Sequence, residues 1–326
     1  MSRLVVVTYP VDEEYARINT DALKGEATVR FLREVPEPER PAVLAGADAL
    51  IVWNLSRELQ EGALEQAKAL RFIQLLSAGA DSVDFRSVPE TVPLAGNVGA
   101  YAKPMAEHVM AMTLALARRL PQRHAALARG EFNQAEPGLT LDGAVCAILG
   151  FGGIGRATAR LMRPFGARIH AINASGRTTE DVDYIGTLAN LDQVLTAADV
   201  LLVSAPLTNA TRNLIGAREL ALMKPTAILV NVARGAIINE QALYEHLAAH
   251  PDFCAGIDAW WHEPRGGKPF TTSYPFLDLP NVLGSPHNSG VVAGVLPAAA
   301  AMAAANVKRH LRGEPVTGVM RRDDYL

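Results

Sequence analysis

Glycine supplies the first chemistry in this sequence. Ala144-Val145-Cys146-Ala147-Ile148-Leu149 has the apolar character of a buried strand and runs directly into Gly150-Phe151-Gly152-Gly153-Ile154-Gly155, followed by a helical stretch over 156–165. Strand, glycine turn and helix in that order make a cradle for a dinucleotide. Gly150 permits the tight turn, Gly152 lets a pyrophosphate approach the backbone, and Gly155 lets the helix pack on the strand. The N–H groups at the helix start, at Gly153 and Ile154, face the phosphate. A second strand over 168–172 then leads to Asn173. NAD-specific sites place Asp or Glu at such a position, where the carboxylate binds the ribose hydroxyls and repels a 2′-phosphate. Here Asn173-Ala174-Ser175-Gly176-Arg177 removes that carboxylate and brings a hydroxyl and a guanidinium close by. This pattern favours NADP over NAD, the alternative being that Asn173 binds the ribose of NAD and Arg177 is a solvated turn residue.

The elements around this turn alternate. Short β-branched runs at 4–8, 28–32, 49–53, 72–76 and 92–95 are separated by helical or turn-rich segments, which implies a parallel sheet. A long helix over 104–119 follows, with Met105, Val109, Met112 and Leu116 on helical spacing. Beyond it, six further strands are expected at 144–149, 168–172, 200–204, 227–231, 254–258 and 282–284, and a final alanine-rich helix at 295–311 stops at Gly313 and Pro315. The fold class is therefore α/β, with two doubly wound parallel-sheet domains: a flavodoxin-like substrate domain over 1–97 plus 294–326, and a Rossmann cofactor domain over 98–293.

The motif set resembles the D-isomer-specific 2-hydroxyacid dehydrogenase family, including its glyoxylate/hydroxypyruvate reductase and phosphoglycerate dehydrogenase-like members, over nearly the whole chain. The matching pieces are Ser77-Ala78-Gly79-Ala80-Asp81, Asn97-Val98-Gly99, Ala106-Glu107-His108, the Gly150 turn, Ala205-Pro206-Leu207-Thr208, Asn231-Val232-Ala233-Arg234-Gly235, Gly256-Ile257-Asp258 with Glu263-Pro264, and Ser285-Pro286-His287. The resemblance implies a catalytic set of Arg234, Glu263 and His287. Their chemistry suits reduction of a 2-oxo acid, which needs a cation to hold the carboxylate or polarise the carbonyl and a proton donor at the carbonyl oxygen. Arg234 and His287 each sit just past a predicted strand, where open α/β sheets bind ligands, and a carboxylate at Glu263 favours a protonated imidazole. The resemblance further implies substrate-carboxylate contacts from Ala78 and Gly79, and cofactor contacts from Pro206, Thr211, Ala233 and Asp258. Trp53, Tyr101, Trp260 and Trp261 either shape the pocket or pack in the core.

The resemblance thus implies hydride transfer between NAD(P)H and a small 2-oxo or D-2-hydroxy acid. It also implies that the region 105–132 forms the arm of a homodimer. Formate is disfavoured because Glu263 stands where formate dehydrogenases of this architecture carry Gln. A cofactor-sensing, corepressor-like binding protein on the same fold is the alternative. Composition narrows the rest. The chain has 326 residues, with 31 Lys and Arg against 34 Asp and Glu, a net charge of -3 that argues against nucleic acid or an anionic membrane as the main partner. Cys146 and Cys254 lie in apolar runs without metal-ligand neighbours, so buried thiols and no metal site are expected. No apolar window is long enough to cross a membrane, and a cytoplasmic location is expected.

Overall fold

The β-branched and leucine-rich runs form strands that lie parallel in two sheets, in a computed structural model that describes residues 3–264 and 267–326. The chain divides into two compact units, Met1–Tyr101 with Val292–Leu326, and Ala102–Val291.

In the first unit β1 (Arg3–Val7), β2 (Ala27–Phe31), β3 (Ala49–Val52), β4 (Phe72–Leu75) and β5 (Leu94–Ala95) take the order β2-β1-β3-β4-β5. That is the flavodoxin-like order. Alternation along each strand sends side chains to opposite faces. Val5, Val7, Ala49 and Ile51 join a core with the helix Val295–Leu311, while Val6, Leu50 and Val52 join a core with Leu44, Leu55 and Leu64. Ala299, Ala300, Ala303 and Ala304 are fully buried, so the alanine run is the packing face of that helix. The helix ends where Gly313 takes φ +70° and its N–H donates to His310 O at 3.0 Å.

The second unit contains β6 (Val145–Leu149), β7 (Arg168–Ile172), β8 (Tyr184–Gly186), β9 (Val200–Val203), β10 (Ile228–Asn231), β11 (Cys254–Ile257) and β12 (Val282–Gly284) in the order β12-β11-β10-β9-β6-β7-β8. Six strands are expected from sequence and seven are present among the described residues. The extra one, β8, is a three-residue edge strand, Tyr-Ile-Gly, whose pairing with β7 no run of β-branched residues announces. The order reverses between β6 and β9, so their carboxyl ends flank the crevice where such sheets bind ligands. The long helix forms over Ala102–Ala117, and a second helix, Leu120–Ala128, follows after Arg119 turns left-handed at φ 51°. No helix among the described residues is long and apolar enough to cross a membrane.

Candidate active site

The glycine turn is fixed by contact on two sides. Gly150 has φ +100°, and a Cβ there would stand 2.3 Å from the Ala205 nitrogen, so the turn can press against the end of β9 only without a side chain. Ser204 holds the two ends together, donating its hydroxyl to Gly150 O at 2.9 Å. A Cβ on Gly155 would meet Gly150 O at 2.6 Å and Ile148 Cγ2 at 2.8 Å, which is the close helix–strand packing expected of it. Over Gly152 there is nothing within 4 Å. The helix Gly153–Met162 starts here, and its first backbone bond runs from Arg156 N–H to Gly152 O at 3.0 Å. The N–H groups of Gly153, Ile154 and Gly155 precede that bond and have no helical carbonyl to use. An open backbone surface beside these amides fits a pyrophosphate.

After β7 the chain folds around one side chain. Asn173 Oδ1 accepts from Gly176 N at 2.7 Å and Ser175 N at 3.1 Å, and its Nδ2 donates to Arg177 O at 2.8 Å. Asn173 is thereby committed to closing the loop, an Asx turn that presents exposed Ser175 and Arg177. On the β9 side Thr211 is similarly used. Its hydroxyl donates to Pro206 O at 2.7 Å and accepts from Thr208 N at 2.8 Å, shaping the loop beside the exposed Pro206.

Arg234, Glu263 and His287 stand beyond the carboxyl ends of the adjacent strands β10, β11 and β12. His287 Nδ1 lies 2.6 Å from Glu263 Oε1. Burial pushes the Glu263 carboxyl up, but the hydrogen bond and charge of His287, the Trp260 N–H and the positive Arg234 outweigh it, holding the carboxyl below its ordinary 4.5. An ionised carboxylate only accepts, so Nδ1 carries a hydrogen and Nε2 is the atom that can gain or release a proton. The mounts of the three residues are shared. Buried Asn231 donates to Arg234 O at 3.0 Å and accepts from Ala233 N at 3.0 Å. Trp260 N donates to Glu263 Oε1 at 3.2 Å, while its indole donates to Ser285 O at 2.8 Å.

His287 itself has φ 51°, a conformation unusual for a residue with a side chain. Asp258 holds it there. His287 N donates to Asp258 O at 2.9 Å, and the fully buried carboxylate accepts from Ser285 Oγ at 2.5 Å, Asn288 N at 3.0 Å and Ser289 N at 3.1 Å. Burial pushes this carboxyl up, and the hydrogen bonds from Ser285, Ser289 and Asn288 bring it below its ordinary 3.8.

Ala78, Gly79, Trp53 and Tyr101 belong to the first unit. Ser77 donates its hydroxyl to Gly79 O at 3.0 Å, which curls this loop at the end of β4, and Tyr101 donates to Leu76 O at 3.0 Å beside it. Trp53 is exposed and edge-on to Tyr9, with ring centres 6.4 Å apart. Trp261 stacks on buried Phe276 at 5.3 Å and donates to Ile238 O at 2.7 Å, a core role, whereas Trp260 combines packing with its bonds to Glu263 and Ser285. Sequence reasoning missed Asn231, Ser285 and Trp260 as mounts; all three stood inside or beside the matched motifs, but a mount is recognised only by its bonding partners. Both cysteines are buried, and burial pushes the Cys146 thiol up to about 12.

Residues 110–289 match the family described as D-isomer specific 2-hydroxyacid dehydrogenase, NAD binding domain. The chain is 31% identical, over 97% of its length, to D-3-phosphoglycerate dehydrogenase of Methanocaldococcus jannaschii, and spans 59% of that protein. It is 30% identical to hydroxypyruvate reductase of Thermotoga maritima over 87% of this chain and 90% of that one. A D-isomer specific 2-hydroxyacid dehydrogenase from Xanthobacter autotrophicus Py2, solved in complex with NADPH and MES, superposes with a TM-score of 0.80 at 25% identity, covering 98% of each chain.

Proposed function

Because this chain belongs to the D-isomer specific 2-hydroxyacid dehydrogenase family, we propose that it reduces a small 2-oxo acid to the D-2-hydroxy acid, with Arg234, Glu263 and His287 as its catalytic residues. The observation that carries the assignment of roles is the 2.6 Å bond from His287 Nδ1 to Glu263, which leaves Nε2 as the proton-bearing atom at the carboxyl edge of the sheet. A dihydronicotinamide held by the Gly150–Gly155 cradle would supply the hydride to C2 of the substrate. His287 Nε2 is placed to give its proton to the substrate oxygen, which takes up the carbonyl π pair on reduction. Glu263 stabilises the imidazolium beforehand, and Arg234 supplies positive charge for the substrate carboxylate and the developing alkoxide. The Gly150–Gly155 cradle would hold the pyrophosphate, and Asp258, with three acceptor positions on the loop, keeps one lone pair for the carboxamide.

The cofactor is nicotinamide-based, and NADP is the preferred form in this reading. Support comes from the Asn173 loop: the Asn173 side chain and the exposed Ser175 hydroxyl are both bonded within the loop, and the Arg177 side chain is exposed at its end. A guanidinium–phosphate bond of ~1.5–3 kcal/mol converts to roughly tenfold to hundredfold preference. A homodimer fits the surface of the second unit, where Leu120 and Leu127 are each 55% exposed and Phe132 is 77% exposed along and beyond one helix. An isologous interface would bury them. Light scattering that gives a monomer at micromolar concentration would reject it.

The test of the function is a panel of glyoxylate, hydroxypyruvate, pyruvate and bulkier 2-oxo acids, assayed with NADH and NADPH. Turnover of at least one acid, with a ~10²–10⁴-fold loss in His287→Ala, is expected. Tight cofactor binding without turnover of any acid would identify a cofactor-sensing protein instead.

A further inference from the structure

One charged motif of the sequence, Ala106-Glu107-His108, has no part in the chemistry above, and its histidine makes an ordered contact. His108 lies on the helix Ala102–Ala117, which packs on β11 and approaches closely because Gly256 has no side chain: a Cβ there would stand 3.1 Å from Met112 Sδ. His108 is one turn before Met112 and so shares its face. Its Nε2 lies 3.0 Å from Ser285 Oγ and 3.8 Å from Asp258 Oδ1. Ser285 Oγ in turn lies 2.5 Å from Asp258 Oδ1.

The direction of these bonds follows from counting hydrogens. A serine hydroxyl has one hydrogen, and the ionised Asp258 carboxylate can only accept, so that hydrogen goes to Asp258. His108 must then donate its Nε2–H to Ser285 Oγ. Both the neutral Nε2–H tautomer and the imidazolium can do so, which makes the bond independent of the protonation of His108. The result is a one-way chain from His108 through Ser285 to Asp258. Asp258 is the residue whose oxygens hold the amides of Asn288 and Ser289 and the left-handed turn at His287. Bonds in series polarise one another, and a loop with an unfavourable φ persists only while its surroundings over-determine it.

We infer that His108 is a positioning residue for His287, acting through Ser285 and Asp258 without touching the reacting atoms. This rests on the reading of His287 as the proton donor. Removing the Nε2–H leaves the Ser285 hydroxyl unanchored on its far side and weakens one of the four bonds that tie the 285–289 loop to Asp258.

A double-mutant cycle with a chemical rescue tests the chain. His108→Phe is expected to lower kcat about three- to tenfold, the worth of one hydrogen bond, with the KM and the fluorescence-titrated Kd for NADPH unchanged. His108→Gln, whose amide can donate to Ser285, should recover most of the loss. In a Ser285→Ala background, His108→Phe should cost nothing further, because its target is gone. Additive losses in the double variant, no rescue by Gln, or a His108→Phe enzyme within twofold of wild type would each overturn the inference. His287→Ala is measured alongside. If it retains activity, the catalytic assignment of His287 has failed; if it is inactive while His108→Phe is not impaired, only the chain from His108 has failed. Should His108→Phe not fold, Ser285→Ala alone with wild-type kcat would overturn it equally.

Discussion

Gly235→Ala is a single-methyl change that should disturb the three residues proposed as catalytic, Arg234, Glu263 and His287, at once. A Cβ at this position would stand 2.5 Å from Trp260 C, 2.6 Å from Trp261 N and 2.7 Å from Trp260 O. These are backbone atoms and cannot rotate aside. Ordinary contact begins near 3.4 Å, so the two segments must separate by about 0.9 Å. The displaced residue is the one whose N–H reaches Glu263 at 3.2 Å and whose indole reaches Ser285 O at 2.8 Å, while Gly235 itself follows Arg234. Overpacking of this kind costs about 1–3 kcal/mol, which for a unit of this size lowers Tm by roughly 2–12 °C. The effect on turnover should be larger in proportion. A shift of about 1 Å in a catalytic group is worth up to ~10²-fold in rate. The assay is kcat at saturating 2-oxo acid with a thermal melt on the same sample. Gly46→Ala serves as control, since its nearest neighbours would be 3.9 Å from the new Cβ. A Gly235→Ala protein that keeps more than half its turnover and melts within a degree of wild type would refute the argument that Trp260 couples the three mounts.

The pH behaviour of Glu263 has a definite sign. Its carboxyl is held below 4.5, so its support for His287 is fully present above that value and is lost only as pH falls through the lowered one. Glu263→Gln should therefore lower turnover above pH 4.5 about tenfold to hundredfold, the worth of one charge-assisted hydrogen bond, and the deficit should narrow as pH falls below that value; a variant within twofold of wild type at pH 7 would dissolve the pair. Arg177→Ala should raise the KM for NADPH about tenfold or more while sparing NADH, and a wild-type protein preferring NADH by tenfold would reverse the cofactor reading. His246 gives a stability switch of the same sign, through a group held neutral in the fold instead of charged. Burial, then the neighbouring His250, lowers it from 6.5 to about 4, so the unfolded chain binds a proton that the folded one refuses across that interval. Stability should fall as pH drops from 6.5 to 4, and a His246→Phe protein should show a shallower decline in Tm over the same range.

Much of this protein was legible in order along the chain. The parallel strands, the alanine helix Val295–Leu311 and the strand–glycine–helix unit were readable because each is announced by local composition and period. Arg234, Glu263 and His287 could be singled out only through the family resemblance, with which their chemistry, and the place of Arg234 and His287 just past strand ends, agrees. What the sequence could not carry is direction and commitment. Asn173 looks the same whether it meets a ribose or closes its own loop, and only the folded backbone shows its oxygen on Gly176 and its amide on Arg177 O. His108 stands well over a hundred residues before Ser285, and no spacing relates them; the missing side chain of Gly256 lets the helix of His108 approach β11, and Ser285 follows the adjacent β12. The strand Tyr184–Gly186 was invisible for a similar reason, since an edge of three residues exists by virtue of its neighbour. Period and residue type are properties of a segment and survive in one dimension. The partner of a hydrogen bond, and the strain it holds at His287, are properties of two segments and arise only when the fold brings them together.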